Sequence, residues 1–186
     1  NPSKETSCRF DSGPGHHFMF HLINNNKDLT YLSKELCRMP YLGIDTEFKR
    51  TSKEDLRLSL IQICDSEEIY IIDCLEIGNP SKDLKFLVSN NVEKIFHSCR
   101  EDIEALYSWS NNKVKNIYDT QVANALLGGS FSVSYQDLVN KKLEVSLNKK
   151  ETRSNWMRRP LSTSQLSYAA SDVQFLIDLY IDQRKY

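Results

Sequence analysis

The sequence predicts an α/β fold, a mixed β-sheet built from an antiparallel meander plus parallel strands and flanked by helices. Three apolar segments, 41–48, 56–64 and 69–74, follow one another through connections too short to hold a helix, the second of them being Asp65-Ser66-Glu67. Segments joined that tightly pair antiparallel. From about residue 81 onward helical and strand patterns alternate, which places helices against a sheet with parallel neighbours. A length of 186 residues with 40% apolar side chains suits one domain with its own core.

Taken in order, residues 1–18 show no hydrophobic period and contain a Gly-Pro-Gly-His-His run. They read as a disordered leader or an appended remnant, with Met19 as a start and residues 19–186 as the domain. Residues 18–23 form a short strand, Asn24-Asn25-Asn26 turns the chain into a helix over 28–38, and Pro40 stops it. After the three meander strands come a helix at 81–90, a strand at 94–97, a helix at 100–110 and a strand at 114–118. A helix over 119–127 ends at Gly128-Gly129, and a short helix at 134–141 leads into a basic loop. The final helix runs from 163 to the chain end. Ser162 and Gln165 have capping-box spacing, and Leu166, Ala169, Ala170, Val173, Leu176, Ile177, Tyr180 and Ile181 repeat at helical period.

Net charge is −1, so nothing in the whole chain advertises a polyanion. Between Leu138 and Pro160, however, seven basic residues stand against two acids, a local excess of +5. Such a strip can carry phosphate while the chain as a whole stays neutral, and it can equally be a solvated lysine-rich face. Five cysteines at 8, 37, 64, 74 and 99 contain no CxxC pair. That spacing suits free thiols in a reducing compartment, and a cytoplasmic protein is expected. No apolar run approaches the roughly 20 residues that span a bilayer.

The chemistry is concentrated in a few acids. Asp45 and Glu47 are i, i+2 on a strand, so both point to one face, while Thr46 points to the other. Like charges on one strand face repel unless a cation lies between them. Asp102 falls in the first turn of a helix, where alone it reads as a cap favoured by the helix dipole. Asp119 precedes another helix and reads as an N-cap or a support for the site. Tyr168 and Asp172 share a helix face one turn apart. Together Asp45, Glu47, Asp102 and Asp172 form the hard-oxygen set that two divalent ions about 3.5–4 Å apart need for phosphodiester hydrolysis. Taken singly, His97 and Tyr168 read as packed residues.

The ordered pieces DTE (45–47), HSCREDIEAL (97–106), IYDTQVANALLG (117–128) and NKKETRSNWMRRPLSTSQLSYAASDV (148–173) resemble the ribonuclease D branch of the DEDD 3′–5′ exonucleases. The resemblance covers residues 20–182 and implies a ribonuclease H-like fold. It assigns Asp45, Glu47, Asp102 and Asp172 to two Mg²⁺ or Mn²⁺ ions and Tyr168 to orienting the attacking water. The histidine variety of these enzymes places His five residues before the last acid; here Ser167 stands there and Tyr168 follows it, the tyrosine variety. A tyrosine hydroxyl with an ordinary pKa of about 10 positions a water rather than deprotonating it.

The expected activity is 3′–5′ hydrolysis of single-stranded RNA, such as tRNA precursors with a free 3′ end, releasing nucleoside 5′-monophosphates. Thr46, His97, Lys149, Arg153, Trp156 and Arg158 are the expected nucleic-acid contacts, Trp156 doubling as a candidate core anchor for the basic loop. A DNA exonuclease of the proofreading or RecQ-associated type would use the same acids. An idle RNA-binding module would have no need of them. Ribonuclease D proteins usually continue into helical nucleic-acid-binding domains, which this sequence does not contain.

Overall fold

The computed structural model describes residues 7–9, 19–53, 55–79, 84–147, 151 and 154–186. Seven strands form one sheet: β1 (Ser7–Arg9), β2 (Met19–Ile23), β3 (Tyr41–Arg50), β4 (Leu56–Cys64), β5 (Ile69–Asp73), β6 (Glu93–Phe96) and β7 (Ile117–Asp119). Their spatial order is β1-β2-β5-β4-β3-β6-β7. β5, β4 and β3 are the antiparallel meander, whereas β2, β6 and β7 pair parallel with their neighbours β5, β3 and β6. The expected mixed sheet is therefore present. Ser7–Arg9, within the segment expected as a leader, pairs antiparallel with β2, and the rest of residues 1–18 lies outside the described set. An edge strand offers unsatisfied backbone groups to any extended segment, with no need for a side-chain pattern.

β4 is central and buried on both faces. Ile61 and Ile63 pack with Ile44 and Ile72 under α1 (Asn26–Leu36) and α4 (Arg100–Ser110). Leu60 and Cys64 pack with Ile69 and Ile71 under α6 (Tyr135–Leu143), α7 (Thr163–Gln174) and α8 (Leu176–Gln183). Each such aliphatic side chain contributes about 1.5–3 kcal/mol on full burial.

Local chemistry sets several boundaries. Asp73 ends β5 by accepting from Leu75 and Glu76 N–H, which starts the one-turn α2 (Cys74–Ile77). The helix expected over 81–90 is described only as α3 (Lys85–Val88), residues 81–83 lying outside the described set. The strand expected at 114–118 forms at Ile117–Asp119, where β6 offers parallel partners. α5 (Thr120–Leu126) follows, capped by Asp119, and the Ser162–Gln165 capping box opens α7.

The single C-terminal helix expected from the apolar period is instead two helices, with Phe175 at φ −108 between them. Neither Pro nor Gly causes the break. The Tyr135 hydroxyl donates to the Ser171 carbonyl at 3.2 Å and accepts from Phe175 N–H at 3.0 Å. It thus occupies the i→i−4 rung that those two residues would otherwise close, a recognised origin of helix kinks.

Candidate active site

β3 supplies the first two acids. Asp45 and Glu47 face Gln62 and Leu60 across the ladder to β4, so both lie on the face covered by α7. The parallel pairing of β3 with β6 covers only Tyr41–Gly43. Beyond that point the first turn of α4 brings Asp102 alongside β3, where the Thr46 hydroxyl, on the opposite face, donates to it at 2.5 Å. α4 is launched from a turn in which Ser98 is left-handed, φ 62. Asp119 holds that turn by accepting from Ser98 N–H at 3.0 Å and Cys99 N–H at 2.9 Å, while also capping α5. Burial alone would raise the Asp119 pKa, yet these donated bonds outweigh it and the group lies below the ordinary aspartate range.

α7 closes the site from above. It sits close on β3 because residue 43 has no side chain: a Cβ there would lie 3.0 Å from Leu176 Cβ and 3.3 Å from the Val173 carbonyl. Asp172 is thereby brought over the strand. One carboxylate oxygen from each of Asp45, Glu47 and Asp172 falls within 4.8 Å of the others. They line an open cleft of about 230 Å³ together with His97, Tyr135, Gln136, Tyr168 and Leu176.

Three carboxylates this close resist ionising together. Burial, then the neighbouring Asp102, Asp172 and Glu47 charges, push Asp45 well above its ordinary value. Burial and the charges of Asp172 and Asp102 lift Glu47 to about 9. Burial raises Asp172 to about 7, with a hydrogen bond from Tyr168 acting the other way. Burial raises Asp102 to about 6 against the Thr46 bond. An all-oxygen set of carboxylates that burial and mutual repulsion keep from ionising together fits a hard divalent cation, whose charge would offset that repulsion.

The other expected contacts are placed less uniformly. Thr46 is buried with its hydroxyl committed to Asp102. His97 lines the cleft with both nitrogens engaged, Nε2 donating to the Val133 carbonyl and Nδ1 2.9 Å from Thr120 Oγ1. Trp156 is buried against Tyr168, ring centroids 6.1 Å apart, which is the core-anchor alternative. Arg158 is exposed on the loop before α7. Lys149 and Arg153 lie outside the described residues.

Arg159, counted within the basic strip, spends its charge internally. It grips Asp73 through Nε at 2.6 Å and Nη2 at 2.7 Å and donates to the Trp156 carbonyl at 2.8 Å. The register between β3 and β4 shifts at Glu47/Phe48, leaving Ser59 as the extra residue. A bulge re-aims a side chain, and Ser59 Oγ meets both the Trp156 carbonyl and Arg159. Tyr135 and Gln136 are cleft residues that sequence reasoning passed over. Their helix was read only as a short element before the basic loop, and no local spacing ties it to the acids.

A family model described as 3′–5′ exonuclease matches residues 20–183. Ribonuclease D of Pseudomonas paraeruginosa is 35% identical over 159 residues, 86% of this chain and 42% of that protein. The chain spans under half the length of the curated relatives it matches. The crystal structure of Escherichia coli RNase D, described as an exoribonuclease involved in structured RNA processing, superposes with a TM-score of 0.84 at 30% identity, covering 89% of this chain and 44% of that one. The Aedes aegypti Nibbler EXO domain superposes with a TM-score of 0.77 at 25% identity, covering 89% and 87%. The sheet order, the carboxylates gathered from β3 and α7, and a match running through nearly all of the described chain agree: this protein belongs to the 3′–5′ exonuclease family.

Proposed function

We propose that the chain hydrolyses single-stranded RNA from its 3′ end and releases nucleoside 5′-monophosphates, with tRNA precursors among its substrates. One observation carries this reading: Asp45, Glu47 and Asp172 converge within 4.8 Å in an open cleft that Tyr168 also lines. Asp45, Glu47 and Asp172 would hold one divalent ion, Mg²⁺ or Mn²⁺, and Asp45, with Asp102 acting through a bridging water, the second. When bound, such ions supply the positive charge and Lewis acidity that phosphodiester hydrolysis requires.

The protein's own groups do the rest. Tyr168 donates to Asp172, and a phenolic oxygen engaged as a donor still accepts from a water. Tyr168 therefore orients the attacking water while Asp172 fixes the direction of the hydroxyl. Trp156 packs behind Tyr168 and limits its ring movement. Arg158, with Lys149 and Arg153 on the same basic stretch, meets backbone phosphates, which would make binding weaken as salt rises.

The test is a time course on 5′-labelled single-stranded RNA and matching DNA with Mg²⁺, Mn²⁺ or EDTA, alongside Asp172→Asn. The expected result is a ladder shortening from the 3′ end, faster on RNA, absent in EDTA and in the variant. Folded protein that cuts neither polymer with metal would overturn the reading, and faster cutting of DNA would move it to a DNA exonuclease.

A further inference from the structure

We propose that Tyr135 is a positioning residue for Asp172, acting through the helix rung that its hydroxyl occupies; this rests on the nuclease reading of the cleft. Asp172 lies inside the turn bounded by Ser171 and Phe175. In an uninterrupted helix the Ser171 carbonyl and Phe175 N–H would bond directly. Here the Tyr135 oxygen stands between them, with bonds of 3.2 and 3.0 Å. The turn carrying Asp172 is thus held open by a side chain from another helix, and its shape is set by where α6 sits.

Tyr135 is well placed to impose that shape. It is 7% exposed, it belongs to the core cluster that includes Val173 and Leu176, and the His97 ring packs edge-on against it at 5.8 Å. His97 is itself anchored at both nitrogens. On the far side of the break Leu176 rests on Gly43, two residues before Asp45. The Asp172 turn is consequently clamped from two directions, by β3 below and by the Tyr135 hydroxyl at its side. Without the hydroxyl, two ends remain possible. The rung closes directly and α7 and α8 merge, or the Ser171 carbonyl and the Phe175 N–H lose this shared partner, the N–H keeping only the Val173 carbonyl, and the turn loosens. Both outcomes move the Asp172 carboxylate relative to Asp45 and Glu47.

Tyr135→Phe removes one oxygen and keeps the ring, so circular dichroism and thermal unfolding should show a retained fold. Three readouts follow: amide hydrogen exchange at Phe175, Mn²⁺ binding to the protein alone by calorimetry, and kcat and KM on an RNA oligonucleotide. Groups that orient a metal ligand typically contribute about 10- to 100-fold to metal affinity or activity. The expected result is altered Phe175 exchange with Mn²⁺ affinity and kcat each lowered in that range, and KM unchanged within about twofold. Because the effect runs through Asp172, adding Tyr135→Phe to Asp172→Asn should lower Mn²⁺ affinity no further. Unchanged Mn²⁺ affinity and kcat in Tyr135→Phe, or an equal additional loss in the Asp172→Asn background, would overturn the proposal. Should the wild-type protein bind Mn²⁺ through Asp172 yet leave RNA intact, the nuclease reading alone would fall.

Discussion

Arg159 and Asp73 show how a single residue can be misread from its neighbours in sequence. The guanidinium is 17% and the carboxylate 4% exposed, and Asp73 also caps α2. Replacing Arg159 by Met would strand a buried carboxylate, which typically costs about 3–5 kcal/mol. Urea unfolding of Arg159→Met should show a loss of that order, and a midpoint unchanged from wild type would contradict the clamp. In sequence Arg159 is one of seven bases in a strip, and nothing local marks its partner 86 positions away. The acids were legible for the opposite reason. Asp45 and Glu47 share a strand face, so their spacing alone exposes a pair that repels itself, whereas Asp102 read singly as a cap and Tyr168 as a packed aromatic until the family resemblance joined them to Asp172. Thr46 was legible as pointing to the other face and was expected to contact nucleic acid; that its hydroxyl reaches Asp102 depends on where α4 begins.

Among the elements, β3 and the α7–α8 pair decide the spacing of the carboxylates. A methyl group at residue 43 would meet Leu176 and the Val173 carbonyl at separations tighter than ordinary contact. Gly43→Ala should therefore lift the helices by a few tenths of an ångström, destabilise the fold by about 1–3 kcal/mol as overpacking does, and lower kcat. Unfolding and single-turnover assays would check both; full activity would mean that this contact does not set the Asp172 position. The capping box of α7 and the meander were readable because their signals are local. The break at Phe175 was not. The apolar period continues through it, and its cause is a hydroxyl from α6.

For the molecule as a whole, the crowded carboxylates make stability depend on pH and metal together. Asp102, Asp172 and Glu47 are raised to about 6, 7 and 9, above unfolded values of about 4. Between those limits the folded state binds more protons than the unfolded one, so metal-free stability falls as pH rises from about 4 through 9. Excess Mg²⁺ should offset that fall, giving a larger gain in Tm at pH 8 than at pH 5. Equal gains at both, measured by thermal unfolding, would show that the acids ionise independently of the ion. The same architecture has a temporal side. Asp45, Asp102 and Asp172 come from β3, α4 and α7, so no early portion of the chain holds a complete set. The carboxylate cluster can assemble only when α7 has emerged and settled on the sheet, so a chain truncated before Thr163 lacks the Asp172 ligand altogether.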